Sequence, residues 1–408
     1  MATSLTATTS ERASNVARNG RLNPQVVVER VRAVLPSGTQ RAALHEPTFR
    51  GREREYLADC IDTGWVSYAG AYVGKFEAAL AEACGVDHAI ALTSGTVALQ
   101  VALAVGGLNA DDEVLLPSLT FVASANAVVH AGGVPHFVDV DEATLGIDPA
   151  ALRLHLRGTT ERRKDGLYNN GTGRKIGALM PVHIFGHPSD MDALGAIAEE
   201  YGLLLIEDAT EALGSKYKGK PCGSLAQLAA LSFNGNKVVT TGGGGAVLTN
   251  DAAIGQRIRH LTTTAKKPHR WAFDHDEVAW NFRLPNINAA LGLAQMERLA
   301  AAIDAKRRLW QRYVEIFANV EGARIFSEAP FAESNHWLVA LVLDRGNEAL
   351  LEPILSVTNE AGLMTRPAWT PMHRLPMYSA NPRAALPMTE SLAQRILNLP
   401  SSPFLASN

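Results

Sequence analysis

The stretch from Leu231 to Asn250 reads LSFNGNKVVTTGGGGAVLTN. It joins two strand-like runs, LAALSFNG and GAVLTN, through a lone lysine, Lys237, and four consecutive glycines. In an open α/β sheet, ligands bind beyond the carboxyl ends of the strands, which is where this lysine would lie. Three interpretations of Lys237 follow: a solvated loop charge, the lysine of a phosphate-binding loop, or a reactive amine.

The segments around this stretch alternate between helical and strand-like patterns. KFEAALAEACG, TVALQVALAVGGL and MDALGAIAEEYG predict amphipathic helices, while HAIALTSGT, DEVLLP, PHFVDVD and LLLIEDAT predict strands. The strands are continuous apolar runs, as expected when helices cover both faces of a sheet. This order predicts an α/β fold whose large domain contains a mostly parallel sheet.

Changes in this alternation predict the domain boundaries. Residues 1–25 are rich in Ser, Thr, Ala and Asn and predict a disordered or loosely ordered tail. Residues 26–285 are assigned to the large domain, with a helical lead-in. Residues 286–408 begin with a long helical pattern, which is expected to link the large domain to a small α+β C-terminal domain. Residues 157–175 interrupt the alternation and predict a surface insertion.

The composition restricts the class of ligand. The chain has 408 residues and a formal net charge of -3, so a nucleic-acid partner is not expected. No apolar run approaches the roughly 20 residues that span a bilayer. Three scattered cysteines without CxxC spacing argue against a metal site and favour a reducing compartment. The expectation is a cytoplasmic protein with a small-molecule ligand, no metal and no membrane contact.

A turn and an acid precede the lysine along the chain. In TSGTVAL, Gly95 and Thr96 would open a helix, where free amides and the helix dipole suit a phosphate, although an ordinary N-cap fits equally well. Asp208 ends the apolar run LLLI, so its carboxylate should be buried and needs a partner. That partner is either an arginine elsewhere in the fold or a protonated ring nitrogen, as pyridoxal phosphate provides.

The glycine run does not form a phosphate-binding loop of the P-loop type. Lys237 precedes the glycines, whereas the P-loop lysine follows them, and TSGTVAL also lacks the GxGxxG spacing. A Schiff-base lysine, in contrast, needs an enclosed position at the end of a strand. The order of phosphate turn, acid and lysine along one α/β chain is more specific than any of the three alone.

Six motifs resemble those of a known family. TSGTVALQVAL, PSLTFVASANAVV, PVHIFGHPSDMDAL, IEDATEALGSKYKGKPCGS, LSFNGNKVVTTGGGGAVLT and WNFRLPNINAALGLAQ resemble, in order and spacing, the DegT-type nucleotide-sugar aminotransferases, over roughly residues 46–403. Segments such as TRPAWTPMHRLPMY are most similar to the branch that aminates the C4 ketone of nucleotide-linked sugars for legionaminic acid and related surface glycans. The resemblance implies the type I, aspartate-aminotransferase-like fold, pyridoxal 5'-phosphate as cofactor, and a homodimer with shared active sites.

The resemblance also implies roles for individual residues. Lys237 matches the lysine that binds the cofactor covalently. Glu211 stands where many relatives have a glutamine near the cofactor's ring oxygen, and an acid there needs a proton or a different partner. The remaining cofactor ligands would be Gly95, Thr96 and Ser232 at the phosphate, Phe121 stacked on the ring, Asp208 at the ring nitrogen, and Asn281, which reaches the phosphate from the neighbouring subunit.

Five further residues are expected near the substrate: Tyr68, His183, His269, Arg270 and His373. The alternative for His183 is a loop histidine that bonds the backbone. For His269 and Arg270, in KKPHRW, the alternative to binding the substrate's diphosphate is a solvated charge cluster.

The implied reaction transfers an amino group from L-glutamate to the C4 ketone of a nucleotide-diphosphate-linked 4-keto-6-deoxy sugar, giving an amino sugar nucleotide. Relatives that dehydrate sugars carry a histidine in place of the lysine, so Lys237 favours transamination over a dehydratase or lyase. A non-catalytic regulatory relative is the other alternative. The sequence leaves open the nucleotide, the sugar's substituents and the stereochemistry.

Overall fold

A computed structural model of the protein describes residues 20–407. Most of the predicted tail, residues 1–25, therefore lies outside the described residues. Its last part is ordered: Gly20–Arg21 pairs as a short parallel strand with Val320–Glu321, and the first helix begins at Pro24.

The secondary structure follows the predicted alternation. The helices are α1 Pro24–Val34, α2 Glu53–Asp62, α3 Ala71–Cys84, α4 Gly95–Val105, α5 Val122–His130, α6 Pro149–Thr159, α7 Met191–Tyr201, α8 Ala252–Thr262, α9 Asn286–Met296, α10 Leu299–Phe317, α11 Leu351–Glu360 and α12 Pro387–Ala393. The strands are β1 Gly20–Arg21, β2 His88–Leu92, β3 Glu113–Pro117, β4 Val134–Val138, β5 Thr160–Arg163, β6 Gly166–Asn169, β7 Lys175–Leu179, β8 Leu204–Asp208, β9 Lys216–Tyr217, β10 Lys220–Pro221, β11 Leu228–Ser232, β12 Gly245–Thr249, β13 Val320–Glu321, β14 Ala323–Ile325, β15 Ala332–Glu333, β16 Val339–Leu343, β17 Arg366–Pro367 and β18 Ile396–Leu399.

A mixed sheet forms the centre of the large domain. Its strands lie in the order β2, β12, β11, β8, β7, β3, β4. The strands from β11 to β4 in this order are parallel to their neighbours, whereas β12 is antiparallel to both β11 and β2. The prediction of an α/β fold with a mostly parallel sheet is confirmed.

This sheet is buried on both faces. Along β2, Ala89 and Ala91 contribute to one apolar cluster, while Ile90 and Leu92 contribute to the other. Because successive side chains of a strand point to opposite faces, a strand between two layers of helices must be apolar throughout. This is the physical origin of the continuous apolar runs in the sequence.

The first helix packs in the small domain. The prediction had placed it in the large domain, whose boundary was set at residue 26. α1 buries Val27 and Val31 in one cluster with Leu309 and Tyr313 of α10 and with the antiparallel sheet β14-β16-β18-β17. An amphipathic pattern indicates that a helix covers an apolar surface, but it does not indicate which surface. The lead-in therefore belongs to the C-terminal domain.

The predicted long helix after residue 285 is two helices. α9 ends at Met296 and α10 begins at Leu299. α9 packs in the large-domain core through Ala289 and Ala290, so the large domain extends beyond residue 285. α10 then provides the connection to the small domain.

The predicted insertion is part of the sheet. Strands β5 and β6 form an antiparallel hairpin, and β6 also pairs with the start of β7. Of the helices between residues 20 and 407, none combines the length and apolar character required for a bilayer crossing.

Candidate active site at the ends of the central strands

A cavity of about 320 Å³ opens where β8 and β11 end. Its walls come from both domains, because Trp337 and Trp369 of the small domain face the large-domain residues. Six residues identified from the sequence line it together: Gly95, Thr96, Phe121, Glu211, Ser232 and Lys237.

The start of α4 and the end of β11 form a site for a phosphate. As the first residues of the helix, Gly95 and Thr96 have amides without an intrahelical acceptor. A Cβ atom on Gly95 would lie 2.7 Å from the Ser232 Cβ and 3.0 Å from its hydroxyl oxygen. The Ser232 side chain therefore packs directly against the start of the helix, and its hydroxyl lies beside the helix amides at the cavity wall, an arrangement that suits an anion.

The glycine run allows β12 to pass beside this phosphate site. Gly245 pairs with Ser232 across the β11–β12 ladder. A Cβ atom on Gly245 would lie 2.4 Å from the Ser94 carbonyl oxygen and 2.6 Å from the Gly95 nitrogen. Real Cβ atoms do not approach backbone so closely, so only glycine fits here.

Asp208 is the last residue of β8 and is only 1% exposed. One carboxylate oxygen accepts a hydrogen bond of 2.7 Å from the Ser124 hydroxyl. The other accepts hydrogen bonds from the Thr210 hydroxyl, at 2.7 Å, and from the Thr210 amide, at 3.2 Å. Ser124 and Thr210 line the cavity, so Asp208 lies directly behind its wall, held by neutral donors rather than by an arginine.

The Lys237 amine is enclosed and has two partners. Its Nζ lies 3.2 Å from Glu211 Oε1 and 3.6 Å from the centroid of the Trp337 ring. The lysine side chain is 12% exposed. This placement excludes the solvated loop charge that the sequence had left open.

Glu211, the acid that stands where many relatives have a glutamine, has Lys237 as its partner. Besides the contact with Lys237, its Oε2 accepts a hydrogen bond of 2.7 Å from the Phe185 amide. Burial raises the pKa of Glu211, although the Lys237 charge and the Phe185 amide oppose this shift. The acid therefore holds the lysine amine on one side of the cavity.

Aromatic rings close the cavity on the side of the small domain. The Phe121 ring centroid lies 5.8 Å from that of Trp369. The Trp337 indole donates a hydrogen bond of 2.6 Å to the Asn236 carbonyl. Because Asn236 precedes Lys237, this bond ties the small domain to the segment that contains the lysine.

These residues fit the pyridoxal phosphate that the resemblance implies. The cavity wall formed by the start of α4 and Ser232 suits the phosphate, and the buried Asp208 suits a protonated ring nitrogen. Phe121 supplies an aromatic face, and Lys237 supplies an amine for the aldehyde. The structural observation behind this fit is the close packing of Ser232 on Gly95, which a Cβ atom at position 95 would prevent.

Two of the predicted substrate residues do not line the cavity. His183 is fully buried, with Nε2 donating to Glu207 Oε1 at 3.0 Å and Nδ1 accepting from the Ser189 amide at 3.1 Å. His373 lies between the Ser118 hydroxyl, at 2.7 Å, and Glu390 Oε1, at 2.6 Å. Because both ring nitrogens of each histidine are engaged, we leave these two residues out of the proposed site.

The other predicted residues lie on the surface of this chain. Tyr68, His269, Arg270 and Asn281 are exposed, and none of them lines the cavity. The His269 ring accepts a hydrogen bond from the Ala272 amide. The predicted roles of these four residues stay predictions.

Four further residues shape the site without having been identified from the sequence: Ser124, Thr210, Trp337 and Trp369. Two of these residues could have been found from the sequence. Thr210 comes two residues after Asp208, and Ser124 comes one helical turn after Phe121, so each hydroxyl is well placed to contact the same site. No local pattern in the sequence identifies the two tryptophans, because they reach the cavity only through the packing of the small domain.

Residues 47–408 match the model of the DegT/DnrJ/EryC1/StrS aminotransferase family. The GDP-perosamine synthase of Caulobacter vibrioides is 37% identical over 367 residues, which cover 90% of this chain and 94% of that protein. The dTDP-3-amino-3,4,6-trideoxy-alpha-D-glucose transaminase of Streptomyces venezuelae is 33% identical, covering 86% of each chain.

A solved structure shows the same fold. The crystal structure of DesI in the presence of its TDP-sugar product is 31% identical in sequence, with a TM-score of 0.78, and the match covers 88% of each chain. The type I fold that the motifs implied is confirmed by this comparison together with the family match.

Proposed function

Because the chain belongs to the DegT/DnrJ/EryC1/StrS aminotransferase family of pyridoxal-phosphate-dependent enzymes, we propose that it transfers the amino group of L-glutamate to the C4 ketone of a nucleotide-diphosphate-linked 4-keto-6-deoxy sugar. The product would be an amino sugar nucleotide for surface glycans. The observation that supports this proposal best is the enclosed Lys237 amine, 3.2 Å from Glu211, in one cavity with the phosphate site.

The residues of the chain have separate tasks in this reaction. When bound, pyridoxal phosphate supplies the aldehyde carbon that carries the amino group and a ring that withdraws electrons. Gly95, Thr96 and Ser232 would hold its phosphate, and Asp208 would keep a positive charge at its ring nitrogen. Lys237 takes a proton from the α-carbon of the donor and returns one to C4 of the sugar.

The groups around Lys237 orient its amine and exclude water. Glu211 holds the amine through one carboxylate oxygen while the Phe185 amide fixes the other. Trp337 covers the amine with its ring. Since a dry, preorganised site strengthens the electrostatic contacts within it, Trp337 and Trp369 contribute to catalysis by closing the cavity.

The substrate class follows from the relatives. By their names, one makes a GDP-linked sugar and another aminates a dTDP-linked sugar, and the solved structure holds a TDP-sugar product. We infer a nucleotide-diphosphate sugar, with GDP favoured by the relative at 37% identity. None of these relatives is named for legionaminic acid, so we retain only the C4 ketone from that expectation.

We further propose that the enzyme is a homodimer with shared active sites. Several large apolar side chains are exposed on this chain, among them Trp65, Trp271, Phe273 and the 99% exposed Val278. Exposed apolar groups of this size are typical of an interaction surface. A neighbouring subunit at this surface would bring Asn281, in the same part of the sequence, towards a second active site.

A cytoplasmic location is part of the same proposal. Cys60, Cys84 and Cys222 are all free and buried, as in proteins of a reducing compartment.

The proposal is tested by incubating the holoenzyme with L-glutamate and UDP-, GDP- or dTDP-linked 4-keto-6-deoxy sugars. Mass spectrometry would follow the sugar, and 2-oxoglutarate would be measured in the same samples. We expect amination of one sugar, the GDP-linked one first, with an equal amount of 2-oxoglutarate. Lys237→Ala should abolish both products, whereas Lys220→Ala, which alters an exposed lysine, should not.

Two results would contradict the proposal. A dehydrated sugar without 2-oxoglutarate would identify a dehydratase instead. If NMR located the new amine at C3 rather than C4, the protein would still be an aminotransferase, but the proposed carbon for amination would be wrong.

A further inference from the structure

A second cavity lies between the segment 45–50 and the start of α10. It measures about 150 Å³, and we call it the His45 cavity. His45, Thr48 and Arg298 line it, as does Val238, the residue after Lys237. It is therefore separate from the active-site cavity but adjacent to the segment that contains the lysine.

Buried polar atoms without a partner face this cavity. His45 is 8% exposed, and neither of its ring nitrogens makes a hydrogen bond. The Asn236 backbone lies near the ring and raises the pKa of His45, but this is a smaller effect than those that lower it. The Thr48 hydroxyl and the Nη1 atom of Arg298 are likewise buried and unpaired. Burying such groups costs free energy unless a ligand satisfies them, so a ligand that accepts hydrogen bonds fits here.

The backbone of Thr48 is held by a buried glutamine. Gln295 of α9 donates one hydrogen bond of 3.0 Å to the Thr48 carbonyl and another of 2.6 Å to Glu53 Oε1. Gln295 is itself buried and lines the cavity. The wall around Thr48 is therefore a fixed structure rather than a loose loop.

The charges around the His45 cavity favour an anion. Arg298 places a guanidinium nitrogen inside it, and Arg50 lies at its rim, opposed there by Glu46. Burial and the nearby Lys306 and Lys237 charges lower the pKa of His45 well below its ordinary value. The imidazole is therefore neutral, with one N–H to donate to an acceptor.

We propose that the His45 cavity binds a small oxyanion, either a carboxylate or inorganic phosphate, through Arg298, Thr48 and His45. Arg298 would supply charge, and Thr48 and His45 would each donate one hydrogen bond. Because Val238 forms part of the wall, the bound anion packs against the segment that contains Lys237. The His45 cavity thus lies outside the residues proposed to carry out transamination, but it contacts the segment that positions Lys237.

The test is isothermal titration calorimetry of the holoenzyme with succinate and, separately, inorganic phosphate at constant ionic strength. We expect at least one of the two to bind with one site per chain, and the stronger binder identifies the ligand class. Thr48→Val and Arg298→Met should each weaken that binding by about tenfold, the loss of one hydrogen bond to an anion. Arg308→Gln, an exposed position of the same helix, should bind as the wild type does.

The variants separate this site from the others in the molecule. Thr48→Val is nearly isosteric and removes a hydroxyl that has no partner, so the fold should survive it. Binding that is equal in wild type, Thr48→Val and Arg298→Met would place the anion elsewhere, for example in the active site, and would overturn the proposal. So would the absence of saturable binding for both probes, or an equal loss in Arg308→Gln.

Discussion

The Nζ atom of Lys237 lies 3.6 Å from the centroid of the Trp337 ring. Lys237 follows β11 of the large-domain sheet, whereas Trp337 precedes β16 of the small-domain sheet. The contact therefore joins the two domains at the cavity itself. It follows that the position of the small domain helps to set the orientation of the amine.

A double-mutant cycle measures this contact. Lys237→Met, Trp337→Leu and the double variant should show an interaction free energy of about 1–2 kcal/mol, the range for a partly desolvated cation over an indole ring. The measurement is urea unfolding of the cofactor-free proteins. The hydrogen bond from Trp337 to the Asn236 carbonyl is lost in both variants that lack the ring, so it cancels from the cycle. Additive effects would show that the ring and the amine do not interact.

Glu211→Gln should change how stability depends on pH. Burial raises the pKa of Glu211 above its ordinary value of 4.5. A raised pKa in the folded state gives a contribution that is fully present below pH 4.5 and is lost as the pH rises through the raised pKa. The free energy of unfolding of the wild type, relative to Glu211→Gln, should therefore fall between pH 4.5 and neutral pH.

The measurement is urea unfolding of both cofactor-free proteins at several pH values in this range. A constant difference between them would reflect only the lost contact with Lys237. The prediction concerns the change with pH, so parallel curves would contradict it.

The parts of this site that the sequence predicts are those whose signals are local. Asp208 and Lys237 follow apolar strands, and the Gly95 turn opens a helix, so each could be recognised within a few residues of its own segment. Parallel strands then place these ends at one edge of the sheet. The sequence alone did not show that Glu211 pairs with Lys237, because the distance between two loops depends on the whole sheet.

What the sequence did not predict depends on packing between distant segments. The pattern of α1 shows an apolar face, but only the assembled fold places it on the C-terminal sheet. Trp337 and Trp369 reach the cavity from the small domain, far from any strand end that marks the site. Glu297 and Arg298 separate α9 from α10, and neither is a proline or a glycine, so no local pattern in the sequence predicts the break.

Asp208→Asn should lower kcat/KM by on the order of a hundredfold, because it removes a fixed charge from a preorganised site. Ser124→Ala should cost much less, since Thr210 still donates two hydrogen bonds to the carboxylate. Steady-state kinetics with the sugar nucleotide that the amination assay selects would measure both. Ser356→Ala, at an exposed serine, is the control. An effect of Asp208→Asn no larger than that of Ser124→Ala would rule out a role for the negative charge.

The glycine run offers a matched pair of variants. A Cβ at Gly245 would meet the Ser94 carbonyl at 2.4 Å, whereas a Cβ at Gly243 would have no atom within 4 Å. Gly245→Ala should therefore destabilise the protein by roughly 1–3 kcal/mol through overpacking and should weaken cofactor binding. Gly243→Ala should leave the stability unchanged, because its Cβ would meet no protein atom. Thermal unfolding measures the stability of both variants and equilibrium dialysis measures cofactor binding by Gly245→Ala, and equal stability of the two variants would contradict this account.

Mixed dimers test whether the active sites are shared between subunits. Lys237 lines the cavity of its own chain, while Asn281 is exposed and lies outside it. If Asn281 acts in the neighbouring site, Lys237→Ala and Asn281→Ala dimers should each be weak. Reassociation of an equal mixture should then restore about a quarter of the wild-type activity, because half of the dimers would be mixed and each would have one intact site. If both residues served the same chain's site, no pairing of subunits could restore an intact site, and the mixture would stay inactive.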